Sequence, residues 1–321
     1  MASIAEKVQN GFQKQLSDTK LLDCMRCGFC LPACPTYIHS KFDDSVEESL
    51  DLCLGCRACE PACPAGVEYG DLLENALDVI QKEKKHSLKE RATRKVAFDH
   101  LFTDQTKMVK TAGLVRFYQK SGLQTLTRKT GVLSFFPDVL RGMEKVLPNI
   151  EKNNKNRVEF YPAESKSLKV AFFTGCMMDT IFQKTNESTV QLLQEMGCDV
   201  WVPKGQVCCG ALHGHSGELE KARDNARRNL DSLLNYDVDY IVNNAGGCGA
   251  FLSEYKKLLK DDQYYSELAS KFSQKVIDIT SLLFKLGITN LPLEVHGENN
   301  ITVTYQDSCH LRNVNGVITE P

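Results

Sequence analysis

Apolar side chains along the first half of the chain recur at helical spacing. Residues 1–20 alternate polar and apolar positions with that period. From Asp71 to about Lys85, Leu72, Leu73, Ala76, Leu77 and Ile80 share one face, which predicts an amphipathic helix directly after a cysteine cluster. Residues 86–150 continue a mixed helical pattern. It is interrupted at Gly113, Gly122, Gly131 and Pro137 and by the apolar run VLSFF, so several short helices are predicted. The polar stretch 151–167, EKNNKNRVEFYPAESKS, reads as a linker.

Beyond residue 167 the pattern changes. LKVAFFTGC is a continuous apolar run ending in Gly-Cys, NESTVQLLQEMG reads as a capped amphipathic helix, CDVWVP as a strand and ELEKARDNARRNLDSLLN as a long charged helix. DVDYIVNNAGGCG reads as a strand entering a glycine turn, and AFLSEYKKLL as another helix. Strands alternating with such helices predict an α/β domain around a largely parallel sheet. A weak repeat, VAFFTGCMMD (170–179) against VTYQDSCHLR (303–312), predicts that a second α/β unit begins near the carboxyl end and is cut short there.

The chain has 321 residues, 42% hydrophobic and 25% charged, enough for a core and for about two domains. No run of 18 apolar residues occurs, and the start lacks the pattern of a secretory signal, so a cytoplasmic protein is expected, at most peripheral to the membrane on that side. The net charge of −2 hides a basic middle. Lys and Arg stand against Asp and Glu as 6 to 10 in residues 1–70, 19 to 12 in 71–167 and 14 to 19 in 168–321. Residues 81–130 are the densest part, a solvated helical face or a dock for an acidic partner or anionic headgroups. A nucleic-acid binder would be basic overall with motif support, so that class is not expected.

Cysteine changes the picture most. Of 14, eight lie between Cys24 and Cys63, none between there and Cys176, and six from Cys176 to Cys309. A disulfide-stapled domain is short and has cysteines throughout, whereas reduced thiols in clusters bind metal. Cys24, Cys27, Cys30 and Cys34 before Pro35 form C-x2-C-x2-C-x3-C-P, and Cys53, Cys56, Cys59 and Cys63 before Pro64 repeat it. This is the spacing of bacterial two-cluster ferredoxins, in which the fourth cysteine of each run serves the other cluster. One [4Fe-4S] cluster is therefore assigned Cys24, Cys27, Cys30 and Cys63, and a second Cys53, Cys56, Cys59 and Cys34. Zinc knuckles share the C-x2-C pairs but need neither the third cysteine nor the Cys-Pro. Gly28, Ala33, Gly55, Ala58 and Ala62 are small enough for close backbone approach to sulfide.

Cys176, the adjacent Cys208 and Cys209, and Cys248 each fall at a strand end or a glycine-flanked turn. Open α/β sheets place ligands at the carboxyl ends of their strands, so these four are candidates for a third metal site. Cys198 reads as core, and Cys309 opens the incomplete unit. His213, His215 and His310 could hydrogen-bond a cluster or shuttle protons, although turn histidines are commonly structural. Gly210, Gly214 and Gly217 match no nucleotide-binding pattern, and no flavin fingerprint occurs.

CMRCGFCLPACPTY, CLGCRACEPACPAGVEYGDLLE, FFTGCMMD, VCCGALHGHSG, NNAGGCG and DSCHLRN together resemble the iron-sulfur subunits of bacterial glycolate oxidase (glycolate dehydrogenase). That family shares its cysteine-rich CCG domains with heterodisulfide reductase, lactate-utilisation proteins and the small subunit of anaerobic glycerol-3-phosphate dehydrogenase. There are departures. Only 18 residues separate Cys34 from Cys53, without the family's Ser-Pro-Arg-Gly-Arg stretch. The second unit's own CCG and later cysteine are missing, as in a fragment or a chain that has lost that site. The closing C-x2-C of heterodisulfide reductase is reduced to Cys248.

The resemblance implies an α+β protein: a mostly helical ferredoxin-like domain with two [4Fe-4S] clusters (1–80), a basic helical segment and linker (81–167), a first CCG α/β unit (168–295) and the start of a truncated second (296–321). It implies an electron-transfer subunit of an oxidoreductase complex. An FAD-containing partner flavoprotein would oxidise glycolate or another 2-hydroxy acid, and the cysteine clusters, with a third at the CCG site, would lead electrons to an acceptor such as quinone at the membrane surface. The alternatives are a disulfide-reducing enzyme acting through Cys176, Cys208, Cys209 and Cys248, an iron-sulfur subunit of a lactate or glycerol-3-phosphate dehydrogenase, and a redox-inactive interaction protein.

Overall fold

The structure, a computed structural model, describes residues 24–35, 50–135, 138–151, 157–165, 168–290, 302 and 304–321. The helix predicted for residues 1–20 lies outside them. The ferredoxin-like segment leads into α1 (Tyr69–Glu83), whose buried stripe includes Leu72, Leu73, Ala76 and Ile80, as the periodicity predicts. α2 (Leu88–Arg94) runs into a wide π turn (Lys95–Leu101), followed by α3 (Gln105–Lys120), α4 (Leu123–Thr130) and α5 (Asp138–Val146). Gly122 and Gly131, both with positive φ, bound α4. Gly113 interrupts nothing and lies inside α3, since a lone glycine costs a helix only about 1 kcal/mol.

The second half is built on a five-stranded sheet. β1 (Phe160–Tyr161), β2 (Leu168–Phe172), β3 (Cys198–Trp201), β4 (Tyr240–Asn243) and β5 (Val276–Asp278) stand in the order β1-β3-β2-β4-β5. β2 through β5 are parallel, and β1 is an antiparallel edge on β3. β1 comes from the predicted linker, which thus contributes structure. Side chains of β2 alternate between two cores. Val170 and Phe172 pack with Val190, Leu193 and Leu282 on one face, and Ala171 packs with Ala226, Leu230 and Phe272 on the other. Covering both faces is what makes the run continuously apolar.

The helices around this sheet are α6 (Cys176–Ile181), α7 (Gln183–Glu195), α8 (Ala211–Gly214), α9 (Leu219–Leu233), α10 (Gly246–Ser253), α11 (Tyr255–Leu258), α12 (Tyr265–Lys275), α13 (Ile279–Lys285) and α14 (Cys309–Asn313). Three local readings change. α7 starts before Asn186, whose buried amide donates to the Thr174 carbonyl rather than capping the helix. The GGCG turn is the first turn of α10. Residues 304–308, which the repeat reads as a strand running into a cysteine and then a helix, carry no ladder, while the helix does follow from Cys309.

The chain leaves β2, passes to β3 on one side, and returns to β4 on the other. The order therefore reverses at β2, and the crevice beyond the strand ends there is where an open α/β sheet takes its ligand. The basic segment is docked on this unit rather than wholly solvated. Met108 of α3 enters the core that includes Cys176, Cys208 and Cys209, while Arg94 pairs with Glu218 at 2.6 Å and Lys221 with Asp99 at 2.5 Å. Among the described residues no helix is long and apolar enough to cross a membrane.

Candidate functional site

The two ferredoxin-type loops have the same backbone. The residue two after the first cysteine and the residue one after the second are left-handed in both: Arg26 (φ 53°) and Gly28 (φ 78°), then Gly55 (φ 61°) and Arg57 (φ 59°). The glycine has changed places between the repeats. A side-chain-bearing residue there costs about 1–2 kcal/mol, strain of the kind held at functional turns. The conformation turns peptide N–H groups inward, and Gly55 N–H lies 3.4 Å from Cys53 Sγ. Matching turns follow, Leu31 N–H to Gly28 O and Cys34 N–H to Leu31 O in one, Glu60 N–H to Arg57 O and Cys63 N–H to Glu60 O in the other.

Cys24 and Cys27 are exposed and the other six half-buried. Tyr69, at the head of α1, lies beside Cys53. Its hydroxyl pKa is pushed up by burial first, then by Cys53, with Cys59 and Cys34 adding. The Cys59 thiol is pushed up to about 12 by burial, then by the Glu60 charge, with contributions from Cys53 and Cys56. Cys34, Cys53 and Cys59 thus lie in the neighbourhood of Tyr69, and Cys53 and Cys56 in that of Cys59. Cys24, Cys27 and Cys30 sit on the first loop, and Cys63 closes the second.

Beyond β2, β3 and β4 a second set of sulfurs meets. Cys176 opens α6, Cys208 and Cys209 precede α8, and Cys248 lies in the first turn of α10. The first three are buried and Cys248 is half-buried. Their thiols neighbour one another in turn, Cys176 beside Cys208, Cys208 beside Cys209 and Cys209 beside Cys248. Peptide N–H groups of Met177, Gly210 and Ala211 point at sulfurs of the set. The adjacent-cysteine turn is fixed from behind by fully buried groups. Asn229 accepts from Val207 N–H (2.9 Å) and donates to Cys208 O (3.1 Å), and Tyr255 donates to Cys209 O (2.6 Å). Gly210 follows at φ 98°, and a Cβ there would stand 3.0 Å from Phe251 and 3.2 Å from the Ala222 carbonyl.

The net shift of all three buried thiols is upward. For Cys176 the neighbouring Cys208 and burial cause it. For Cys208 and Cys209 the preceding thiol of the four lowers the pKa, and the following one together with burial outweighs it. A nucleophilic cysteine needs the opposite, a lowered pKa from a nearby positive charge. Four sulfurs lined by N–H donors and lacking their own countercharge fit a metal centre, which supplies that charge as the thiols deprotonate. Among the described residues no three His, Cys, Asp or Glu side chains close on a single point.

Three groups that periodicity does not reveal join the two cysteine sets. Arg57, 7% exposed, makes a two-pronged pair with Glu254 at the end of α10 (2.5 and 2.8 Å) and also holds Glu60. His310 and Asn313 of α14 reach the carbonyls of Gly55 and Cys56. Cys309 itself is exposed, and Cys198 is buried in the sheet core as expected. His213 is structural: fully buried, it bonds Phe98 O through Nε2 and the Asn225 amide through Nδ1. His215 pairs with Glu74 at 2.9 Å.

Comparison with known proteins agrees with this layout. A 4Fe-4S dicluster domain family matches residues 23–67, the linker region of the glycolate oxidase iron-sulfur subunit matches 89–147, and a cysteine-rich domain matches 170–253. The "Probable glycolate oxidase iron-sulfur subunit" of Bacillus subtilis is 49% identical over 98% of this chain and 77% of its own length. The glycolate oxidase iron-sulfur subunit of Escherichia coli is 28% identical over 87% of this chain and 69% of its own. Lactate utilization protein A of Bacillus subtilis is 30% identical over 48% of this chain and 63% of its own. No solved structure matches.

Proposed function

The chain belongs to the family of glycolate oxidase iron-sulfur subunits, and from that premise we propose that it conducts electrons from a flavoprotein that oxidises glycolate or a related 2-hydroxy acid to a quinone. Its role is iron-sulfur electron transfer within an oxidoreductase complex. The observation that supports the residue assignment is that the second cysteine loop, with Gly55 N–H toward Cys53 Sγ, is tied through Arg57 and Glu254 to the unit in which N–H groups approach the sulfurs of Cys176, Cys208 and Cys209.

Cys24, Cys27, Cys30 and Cys63 would hold one [4Fe-4S] cluster, Cys34, Cys53, Cys56 and Cys59 a second, and Cys176, Cys208, Cys209 and Cys248 a third. Such clusters, when bound, take up and release electrons one at a time, at potentials set by exposure and hydrogen bonds to sulfur. The protein binds and orients them. Arg26 and Arg57 hold the left-handed turns, Asn229 and Tyr255 fix the adjacent-cysteine turn, and Phe251 and the α9 backbone close over Gly210, keeping water from the buried sulfurs. The hydroxy-acid chemistry belongs to the FAD of the partner. A cytoplasmic location, at the membrane surface where quinone is met, completes the reading. Residues 105–135 support it, with six Lys and Arg and no Asp or Glu, and with Leu114 and Phe117 exposed.

The test is anaerobic co-purification from the native host, followed by iron analysis and glycolate-dependent reduction of a dye and of a quinone analogue. About twelve irons per chain, a flavoprotein in the complex and glycolate-dependent turnover are expected. A complex without flavin that ignores glycolate overturns the substrate assignment, and about eight irons removes the third cluster.

A further inference from the structure

α14 is a five-residue helix, yet it touches the ligand-bearing turns of both cysteine sets. On one side His310 Nε2 lies 2.8 Å from the Gly55 carbonyl and Asn313 Nδ2 donates to the Cys56 carbonyl at 2.8 Å, inside the loop that presents Cys53, Cys56 and Cys59. On the other it lies directly on the start of α10, two residues before Cys248. A Cβ on Gly246 would stand 2.6 Å from Ser308 Oγ and 3.0 Å from Leu311 Cβ, so only glycine admits the contact without a shift. Leu311 is buried there, and Val317 N–H bonds back to Leu311 O to close the segment. The Arg57–Glu254 pair makes a second tie between the same loop and the far end of α10.

We propose that α14 is a positioning helix that seats the second cysteine loop against the four-thiol turn, so that the group held by Cys34, Cys53, Cys56 and Cys59 exchanges electrons with the group held by Cys176, Cys208, Cys209 and Cys248. The inference rests on the reading above that both sets hold clusters. The step served is transfer of one electron between the two groups, with no bond made or broken and no further reactant. The His310, Asn313 and Arg57 ties fall on the second loop, and in the first loop Cys24 and Cys27 are exposed. His310 and Asn313 bind carbonyls rather than sulfur, so they act through the placement of the loop.

The experiment uses the full chain, purified anaerobically, as wild type, as the His310→Ala, Asn313→Ala double variant, and as His310→Gln, whose amide can still donate to Gly55 O. Iron and sulfide content, amide hydrogen exchange across residues 53–60, and the magnetic coupling between reduced clusters by electron paramagnetic resonance are measured together. The double variant is expected to keep its iron, exchange roughly tenfold to a hundredfold faster at 53–60, as two lost hydrogen bonds imply, and lose the coupling. His310→Gln should restore both readouts toward wild type. Unchanged exchange in the double variant overturns the seating role. Coupling to the four-thiol group is read in a Cys27→Ser background, which takes out the first-loop group's share. Its absence in that background, or its persistence there when the double variant is added, overturns the pairing of the sites. A wild-type chain with about eight irons fails the three-cluster reading and with it the electron half of the proposal, while the exchange measurement still decides whether α14 seats the loop.

Discussion

Replacing Asn229 by Ala should loosen the adjacent-cysteine turn more than any exposed change nearby. Its amide is fully buried in α9, accepting from Val207 N–H at 2.9 Å and donating to Cys208 O at 3.1 Å and Tyr255 Oη at 3.0 Å. Alanine leaves a buried N–H and a buried carbonyl without partners, at about 1–3 kcal/mol each, and opens a small void. The Tyr255 hydroxyl still donates to Cys209 O, so the losses overlap and about 3 kcal/mol in all is expected. Urea unfolding of the metal-free chain reports it. Trp201, the single tryptophan, closes β3 and gives a fluorescence signal from this unit alone. With a slope of about 1–3 kcal/mol per molar, the midpoint should fall by about 1–3 M. A fall under about 0.3 M would refute the reasoning, because it would mean that the turn is held by something other than the Asn229 amide.

Arg57→Gly should be more stable than Arg57→Ala by about 1 kcal/mol in the same assay, since glycine relaxes the left-handed φ of 59°. Both should fall about 2–3 kcal/mol below wild type for the lost charge-assisted bonds to Glu254, which is half-buried and keeps Lys257 at 3.2 Å, and equal losses would dismiss the backbone argument. His213 has its pKa lowered, chiefly by burial, from the ordinary 6.5. The folded state therefore binds fewer protons than the unfolded, and the stability from neutral His213, present in full above pH 6.5, drains away as pH falls toward the folded pKa. His213→Asn should flatten unfolding midpoints measured over that interval, and an unaltered slope would contradict it. Cys208→Ala should lower bound iron while Cys198→Ala should not, as iron analysis of both can decide, for Cys198 packs with Val170 and Val200 in the sheet core.

How much could be read without coordinates depended on whether a feature is local. The eight-cysteine repeat is a covalent spacing, and a short loop around a cluster leaves the chain few choices, so its sequence alone marks the candidate ligands. The β2 run and the α1 stripe were likewise legible, because burial on two faces or one leaves a periodic trace. Asn186 and Gly113 misled because a cap and a breaker are local preferences of about 1 kcal/mol, which tertiary bonds such as Asn186 to Thr174 O override.

By itself, then, the sequence determined which residues are chemically able to hold clusters, and that a parallel sheet would carry the second set on its strand ends. Only the tertiary structure decided which sets face each other. Arg57 meets Glu254 across 197 positions and His310 meets Gly55 across 255, and no periodicity records contacts at such separations. The glycine exchanged between the two ferredoxin loops shows the same division. Its spacing is written in the chain, but that Arg57 takes up the left-handed turn in its place is settled by the pair with Glu254 that holds it there.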